Sequence, residues 1–306
     1  MCKNFLVIAA VAVLFTACNK DKKSQSLLNL TAIDNNKSQV VNVKLKSMDK
    51  QTFSIGCRSM PSTTFNAKNK TFGYLDCNDV YRIIDVETGV EIKQIPLLTY
   101  INLVVVDTIR NVLIGHYYVR DENEDKYDGT DYVLTVNLND GSIISDEQFY
   151  VNGGWNGTTY FFRDVENEYV LLNSDDNVLV FIDPYTGNII RTLNTEMANI
   201  TNGVYDRTNN RLIGTTFSSS GTGEYDGISY IVTVDLNTGK ALSKIVTQYS
   251  GYYLAFESDY DAETNSYILV SDNNEVLFFD VATGEVKERY QLDFDITSLQ
   301  LWRSEE

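Results

Sequence analysis

The chain has 306 residues and carries 42 acidic against 25 basic side chains, a net charge of −17. Charge of that sign excludes nucleic acid and a bare anionic bilayer as the main partner, because like charges repel. A single histidine, His116, excludes multi-histidine metal sites, while 20 Tyr, 14 Phe and 43% hydrophobic content describe a packed, strand-favouring chain.

Residues 1–17 read as a secretory signal: Lys3 supplies the positive start, and Phe5 to Phe15 is an apolar run of eleven, too short to span a bilayer. Leu14-Phe15-Thr16-Ala17-Cys18 then resembles a bacterial lipobox, with Phe15 where an aliphatic residue is usual. The resemblance implies that Cys18 becomes an acylated N-terminus, each buried CH₂ of its acyl chains holding the membrane with about 0.8 kcal/mol. It places the mature protein on the outer membrane of a Gram-negative bacterium, facing the periplasm or the surface. Residues 18–26 are polar and form a tether, and residues 27–306 read as one domain. Cys57 and Cys77 remain in an oxidising compartment, either as a disulfide or as two buried thiols.

The domain is periodic. Arg82-Ile-Ile-Asp85 to Gly89, Thr135-Val-Asn137 to Gly141, Phe181-Ile-Asp183 to Gly187, Thr233-Val-Asp235 to Gly239 and Phe278-Phe-Asp280 to Gly284 are five copies of an apolar strand, an Asp or Asn, and a closing Gly. Ala32-Ile33-Asp34 to Ser38 is a weaker sixth copy, and the steps between the Asp/Asn positions are 51, 52, 46, 52 and 45. The carboxylate or amide bonds N–H groups two residues on, and Gly supplies positive φ, so each copy closes a hairpin. A second turn recurs before each apolar strand, at Asn66–Asn69, Asp107–Asn111, Asp164–Asn167, Asp206–Asn209 and Asp261–Asn265. Each unit is therefore strand A, Asp/Asn turn, strand B, loop, strand C, Asp–Gly turn, strand D. Units of this length predict an all-β propeller of four-stranded blades. Ile296–Arg303 reads as a lone inner strand, and Leu27–Asp34 with Gln39–Leu45 as strands C and D of a closing blade shared by both termini. That makes six blades; because the shared blade shows three strands, seven stays open.

The Asp-x-x-Thr-Gly turns after apolar strands resemble the quinoprotein-like and YVTN-type β-propeller repeats over most of residues 27–303. The resemblance implies the fold and not an activity, since such propellers serve as enzymes, scaffolds and binding modules. The cofactor-site pattern of the quinone-binding dehydrogenases does not appear, so no cofactor is expected.

In an up-and-down blade the A–B and C–D turns share one face, and the B–C loops and D–A links share the other. The first face repeats; the second varies. Its long loops are Arg120–Thr130 and Ser218–Gly227, ending in Tyr127-Asp128-Gly129 and Tyr225-Asp226-Gly227. Its links carry Arg58, Tyr100, Trp155, Asn156, Tyr252 and Tyr253. Aromatic planes with amide and hydroxyl neighbours suit sugar rings or peptide side chains, against the alternative that they pack blade tips. Within Gly153-Gly154-Trp155-Asn156-Gly157, flexible neighbours present an aromatic to solvent.

Asp121, Asn123 and Asp125 put oxygen ligands at alternate positions, as in a calcium loop, but Lys126 and Tyr132 stand where Gly and Glu are needed. An acidic hairpin tip is the competing reading. His116 lies on a predicted strand B and reads as bonded within its blade. No nucleophile elbow, phosphate loop or metal-ligand cluster appears. The sequence thus points to a non-enzymatic, lipid-anchored envelope propeller that binds a protein or a glycan through its loop face. The alternative is an envelope glycan lyase or hydrolase with its site at the mouth of the central channel.

Overall fold

The computed structural model describes residues 27–304, apart from 35, 57, 98, 100, 122–125, 151–154, 174–175, 220–224, 248 and 250–252. The described chain is all strand and turn. β1 (Leu27–Asp34), β2 (Gln39–Lys44) and β3 (Asp49–Ser54) come first. Blade 1 is β4 (Arg58–Asn66), β5 (Thr71–Asp76), β6 (Val80–Asp85) and β7 (Glu91–Pro96). Blade 2 is β8 (Asn102–Asp107), β9 (Val112–Asp121), β10 (Lys126–Asn137) and β11 (Ile143–Phe149). Blade 3 is β12 (Trp155–Arg163), β13 (Glu168–Asn173), β14 (Val178–Ile182) and β15 (Ile189–Asn194). Blade 4 is β16 (Thr201–Asp206), β17 (Arg211–Ser219), β18 (Tyr225–Asp235) and β19 (Ala241–Val246). Blade 5 is β20 (Tyr253–Asp261), β21 (Ser266–Ser271), β22 (Glu275–Asp280) and β23 (Val286–Gln291). The last strand, β24 (Ile296–Ser304), joins β1, β2 and β3 in the order β24-β1-β2-β3 as blade 6.

The propeller has six blades, and the closing blade corrects two sequence expectations. Leu27 pairs with Ser304 and Leu30 with Leu301, so β1 lies next to the inner strand and is strand B, not C. Asp49–Ser54 supplies strand D, so the blade has four strands. The turn at Asp34 is accordingly a B–C turn and not a sixth C–D copy. The true sixth C–D turn runs from Lys44 to Met48, where Met48 N–H donates to Lys44 O at 2.8 Å, as Gly89 N–H does to Asp85 O. Met48 holds φ 60 where the other blades place Gly at φ 66 to 77. Without Asp and Gly, periodicity did not reveal it.

The core is distributed. Six apolar clusters fill the six gaps between neighbouring blades. Between blades 3 and 4, for example, Phe161, Val170 and Phe181 meet Ile200, Leu212 and Val232. Middle strands pack on both faces, so β13 and β21 are buried throughout and lose alternation. Outer strands face one neighbour and alternate, as β19 does, and their charges blunt the exposed edge.

One irregularity orders the ring. Along the inner strand of blade 1, Arg58 pairs with Asp76 and Thr63 with Tyr74, five steps against two. Blades 3 and 5 do the same, from Trp155/Asn173 to Tyr160/Leu171 and from Tyr253/Ser271 to Ser258/Leu269. Blades 2, 4 and 6 show three steps against two, as from Asn102/His116 to Val105/Ile114. The repeat is therefore a pair of blades, with Gly89, Gly187 and Gly284 spaced by 98 and 97 residues. The fold carries an approximate threefold arrangement on sixfold blades.

Candidate ligand-binding face

The five-against-two segments lie at the loop-face ends of three inner strands. Arg58, Trp155 and Tyr253, three residues expected from the sequence to meet a ligand, stand at the same register position in alternate blades, opposite Asp76, Asn173 and Ser271. Their backbone is described; their side chains lie outside the described set, as do those of Asn156, Tyr127, Tyr225 and Asp121. Tyr100, Tyr252, Asn123, Asp125 and Cys57 fall outside the described residues. The backbone of the long hairpins brings Tyr127 opposite Arg120 and Tyr225 opposite Ser219.

The residues opposite the mouth positions are described and fixed. Asp76 accepts from Asn78 N–H at 2.8 Å, Val80 N–H at 3.0 Å and Arg82 Nε at 2.7 Å. Burial works against its charge, but these bonds win and hold the carboxyl below its usual range. Asn173 Oδ1 accepts from Asp176 N–H at 3.3 Å, and Ser271 Oγ accepts from Asn273 and Glu275 N–H at 3.2 Å. In all three blades, then, the partner of the mouth residue caps the B–C turn. Cys77, exposed in the first of these turns, is disulfide-bonded.

In blade 2, His116 Nδ1 lies 3.1 Å from Asn102 Oδ1 and Nε2 lies 2.6 Å from Asp131 Oδ1. The imidazole ties strands A, B and C together; His116 is 2% exposed and Asp131 0%. As its sequence context predicts, it is bonded within the blade, and no solvent-facing edge offers it to a substrate. Blade 4 replaces the tie with Thr201 and Thr215, their hydroxyls 3.0 Å apart.

The axis holds a cavity of about 400 Å³, the central channel that a propeller implies. All six inner strands line it, and it opens among the A–B turns at Thr108, Asp164 and Arg207, on the face opposite the long loops. Its wall mixes Val104, Val105, Val106 and Phe162 with Thr63, Ser258, Asp259 and Gln300. Asp259 accepts Tyr260 N–H and Leu301 N–H, each at 2.7 Å, and so bridges the inner strands of blades 5 and 6. Burial outweighs those bonds and pushes its carboxyl up to about 6. At the rim, Asp164 pairs with Arg207 at 2.8 Å. Among the described residues, no group of His, Cys, Asp and Glu has the size and arrangement to hold a metal ion.

No family model matches the chain, and no curated protein matches it. Solved structures do. A protein of unknown function from Bacteroides caccae is similar at TM-score 0.63 and 9% identity, over 91% of this chain and 100% of its own. A chain of a nidogen/laminin complex is similar at TM-score 0.61 and 10% identity, over 90% and 98%. The dihydro-heme d1 dehydrogenase NirN is similar at TM-score 0.52 and 11% identity; this chain spans 86% of itself and 63% of NirN. These likenesses establish the β-propeller fold and nothing finer.

Proposed function

We propose that the protein is a lipid-anchored cell-envelope propeller of the quinoprotein-like and YVTN repeat type, held at the outer membrane by Cys18, which binds a protein or glycan through its loop face. The observation that carries the reading is the common register of Arg58, Trp155 and Tyr253 at alternate blades around the axis. An Arg, a Trp and a Tyr at equivalent strand positions supply the residue types, apolar area with hydrogen bonding, that sugar rings and peptide side chains demand. The capped turns at Asp76, Asn173 and Ser271 hold the supporting strand ends still, which lowers the ordering cost of binding. In the same reading Cys77 pairs with Cys57. The hydrolase or lyase reading draws on Asp259 with Tyr160, Tyr205 and Tyr260 on the cavity wall, where the other carboxylate, Asp164, is held by Arg207.

The test is binding of the protein from Ser24 onward to arrays of glycans and envelope peptides, beside a variant carrying Trp155→Ala and Tyr253→Ala. Loss of binding by about thirtyfold or more, a hot-spot effect, is the expected result. Binding that is unchanged, or absent in both proteins, overturns the loop-face reading.

A further inference from the structure

We propose that the face carrying the A–B and C–D turns is the membrane-facing side of the protein, so that a phospholipid surface lies against Met48, Ile109 and Val165 and the loop face points into the aqueous space. The inference rests on the lipid-anchor reading of Cys18 and adds the direction in which the anchored domain stands.

Topology is the first support. Every inner strand runs from the loop face to the turn face, and Leu27 pairs with Ser304, the end of inner strand β24. The chain therefore enters the propeller on the turn face, where Leu45 N–H of a C–D turn donates to Leu28 O at 3.2 Å. The tether is short: residues 18–26, fully extended, reach roughly 30 Å at about 3.3–3.6 Å per residue. Turning the loop face toward the membrane requires the tether to run back along β1, whose eight residues span roughly 26 Å at about 3.3 Å each. That leaves almost no slack. With the turn face down, no such detour arises.

Side chains are the second support. The tips of three turns on this face expose apolar groups: Met48 at 40%, Ile109 at 66% and Val165 at 70%. Lys46, Lys68 and Arg110 stand exposed on turns of the same face. The described B–C turns, by contrast, end in Asn36, Lys37, Asn78, Asp176 and Asp272, all exposed and polar. Apolar tips flanked by basic groups suit the headgroup boundary of a bilayer.

Charge is the third. Four acids on the turn face are ion-paired: Glu87 with Lys70 at 2.6 Å, Asp107 with Arg110 at 2.7 Å, Asp164 with Arg207 at 2.8 Å and Asp280 with Lys287 at 2.6 Å. The tether adds Lys20, Lys22 and Lys23. These pairs and the tether lysines bring basic groups toward the headgroups.

The experiment uses the full acylated protein in vesicles of phosphatidylethanolamine and phosphatidylglycerol containing a spin-labelled lipid that quenches fluorescence. A fluorophore is placed singly through Ile109→Cys, Val165→Cys, Asn36→Cys and Asp272→Cys. Quenching at positions 109 and 165 several-fold stronger than at 36 and 272 is expected. Equal quenching, or stronger quenching on the loop face, overturns the orientation while leaving the anchor intact. Incorporation of an alkyne fatty acid is followed in parallel, with Cys18→Ala as the blank. An unlabelled native protein overturns the anchor, and the orientation with it.

Discussion

On the turn face, one bonding scheme repeats in five C–D turns. Asp85, Asn137, Asp183, Asp235 and Asp280 each accept the N–H two residues on, at 2.7 to 2.9 Å. Each carbonyl then receives the glycine N–H four residues on, at 2.8 or 2.9 Å. At Asp235 the bond from Asn237 N–H, helped by those of Thr238, lowers the carboxyl from its ordinary value. On the loop face the connections differ in length and composition, and two kinds of inner-strand bulge alternate around the ring. The same strands serve both ends. The difference teaches that this propeller separates closure from recognition: one end is over-determined by backbone bonds, and the other is free to vary because the blade core does not depend on it.

The sharpest way to break that contrast lies at the turn end of blade 3. Arg163 and Glu168 are 3% and 6% exposed and bonded to each other, with Arg163 also bonding Asn210 of blade 4 at 2.9 Å. Arg163→Ala leaves a buried carboxylate poorly compensated and is expected to cost about 3–5 kcal/mol in denaturant unfolding. A loss below about 1 kcal/mol, the value of an exposed pair, shows that the turn end is not over-determined.

Next come the closing glycines. A Cβ at Gly239 falls 2.1 Å from Asn194 O with φ at +73°, whereas at Gly141, φ +77°, its nearest neighbour is Ile95 Cγ2 at 3.2 Å. Gly141→Ala is expected to lower stability by about 1 kcal/mol for its left-handed backbone alone, and Gly239→Ala by about 2 kcal/mol or more because backbone must also move. Equal melting shifts contradict the reading.

The last effect, read through pH, sits at the axis, between the two faces. Asp259 carries its proton more tightly when folded, at about 6, than an ordinary carboxyl does. Folding therefore binds more protons than unfolding between that ordinary value and 6, so stability from this group falls as pH rises through the window. The stability of the native protein relative to Asp259→Asn is expected to decline from pH 4 to pH 7 and to level off above. A flat difference removes Asp259 as a proton-holding group and weakens the hydrolase reading.

Much of the ring was legible in the sequence because Asp, Asn and Gly are needed for the turn at fixed positions. Where another residue does the same work, legibility failed: Met48 adopts the glycine conformation, and β3, with Asp49, Lys50 and Gln51 exposed, has no apolar run to betray it. The two-blade repeat was present in the alternating steps 52, 46, 52 and 45, but its meaning lay in pairing register, which residue types do not encode. The candidate mouth positions were picked by aromatic and amide chemistry; that Arg58, Trp155 and Tyr253 are equivalent appeared only when each found its partner across the strand pair. The axial channel followed from the propeller reading, but its lining left no signal, since strands from all six blades contribute to it.

Composition and local turn chemistry thus determined an acidic, all-β chain of repeated four-stranded units, because hydrogen bonding in a tight turn and burial of both strand faces constrain residue type directly. Tertiary structure chose the six blades that the periodicity indicated over seven, and it alone decided the strand order of the closing blade, the face on which the chain enters, and which distant residues meet around the axis. Those depend on closing a ring between positions as far apart as Leu27 and Ser304, and no local pattern reports a contact across that distance.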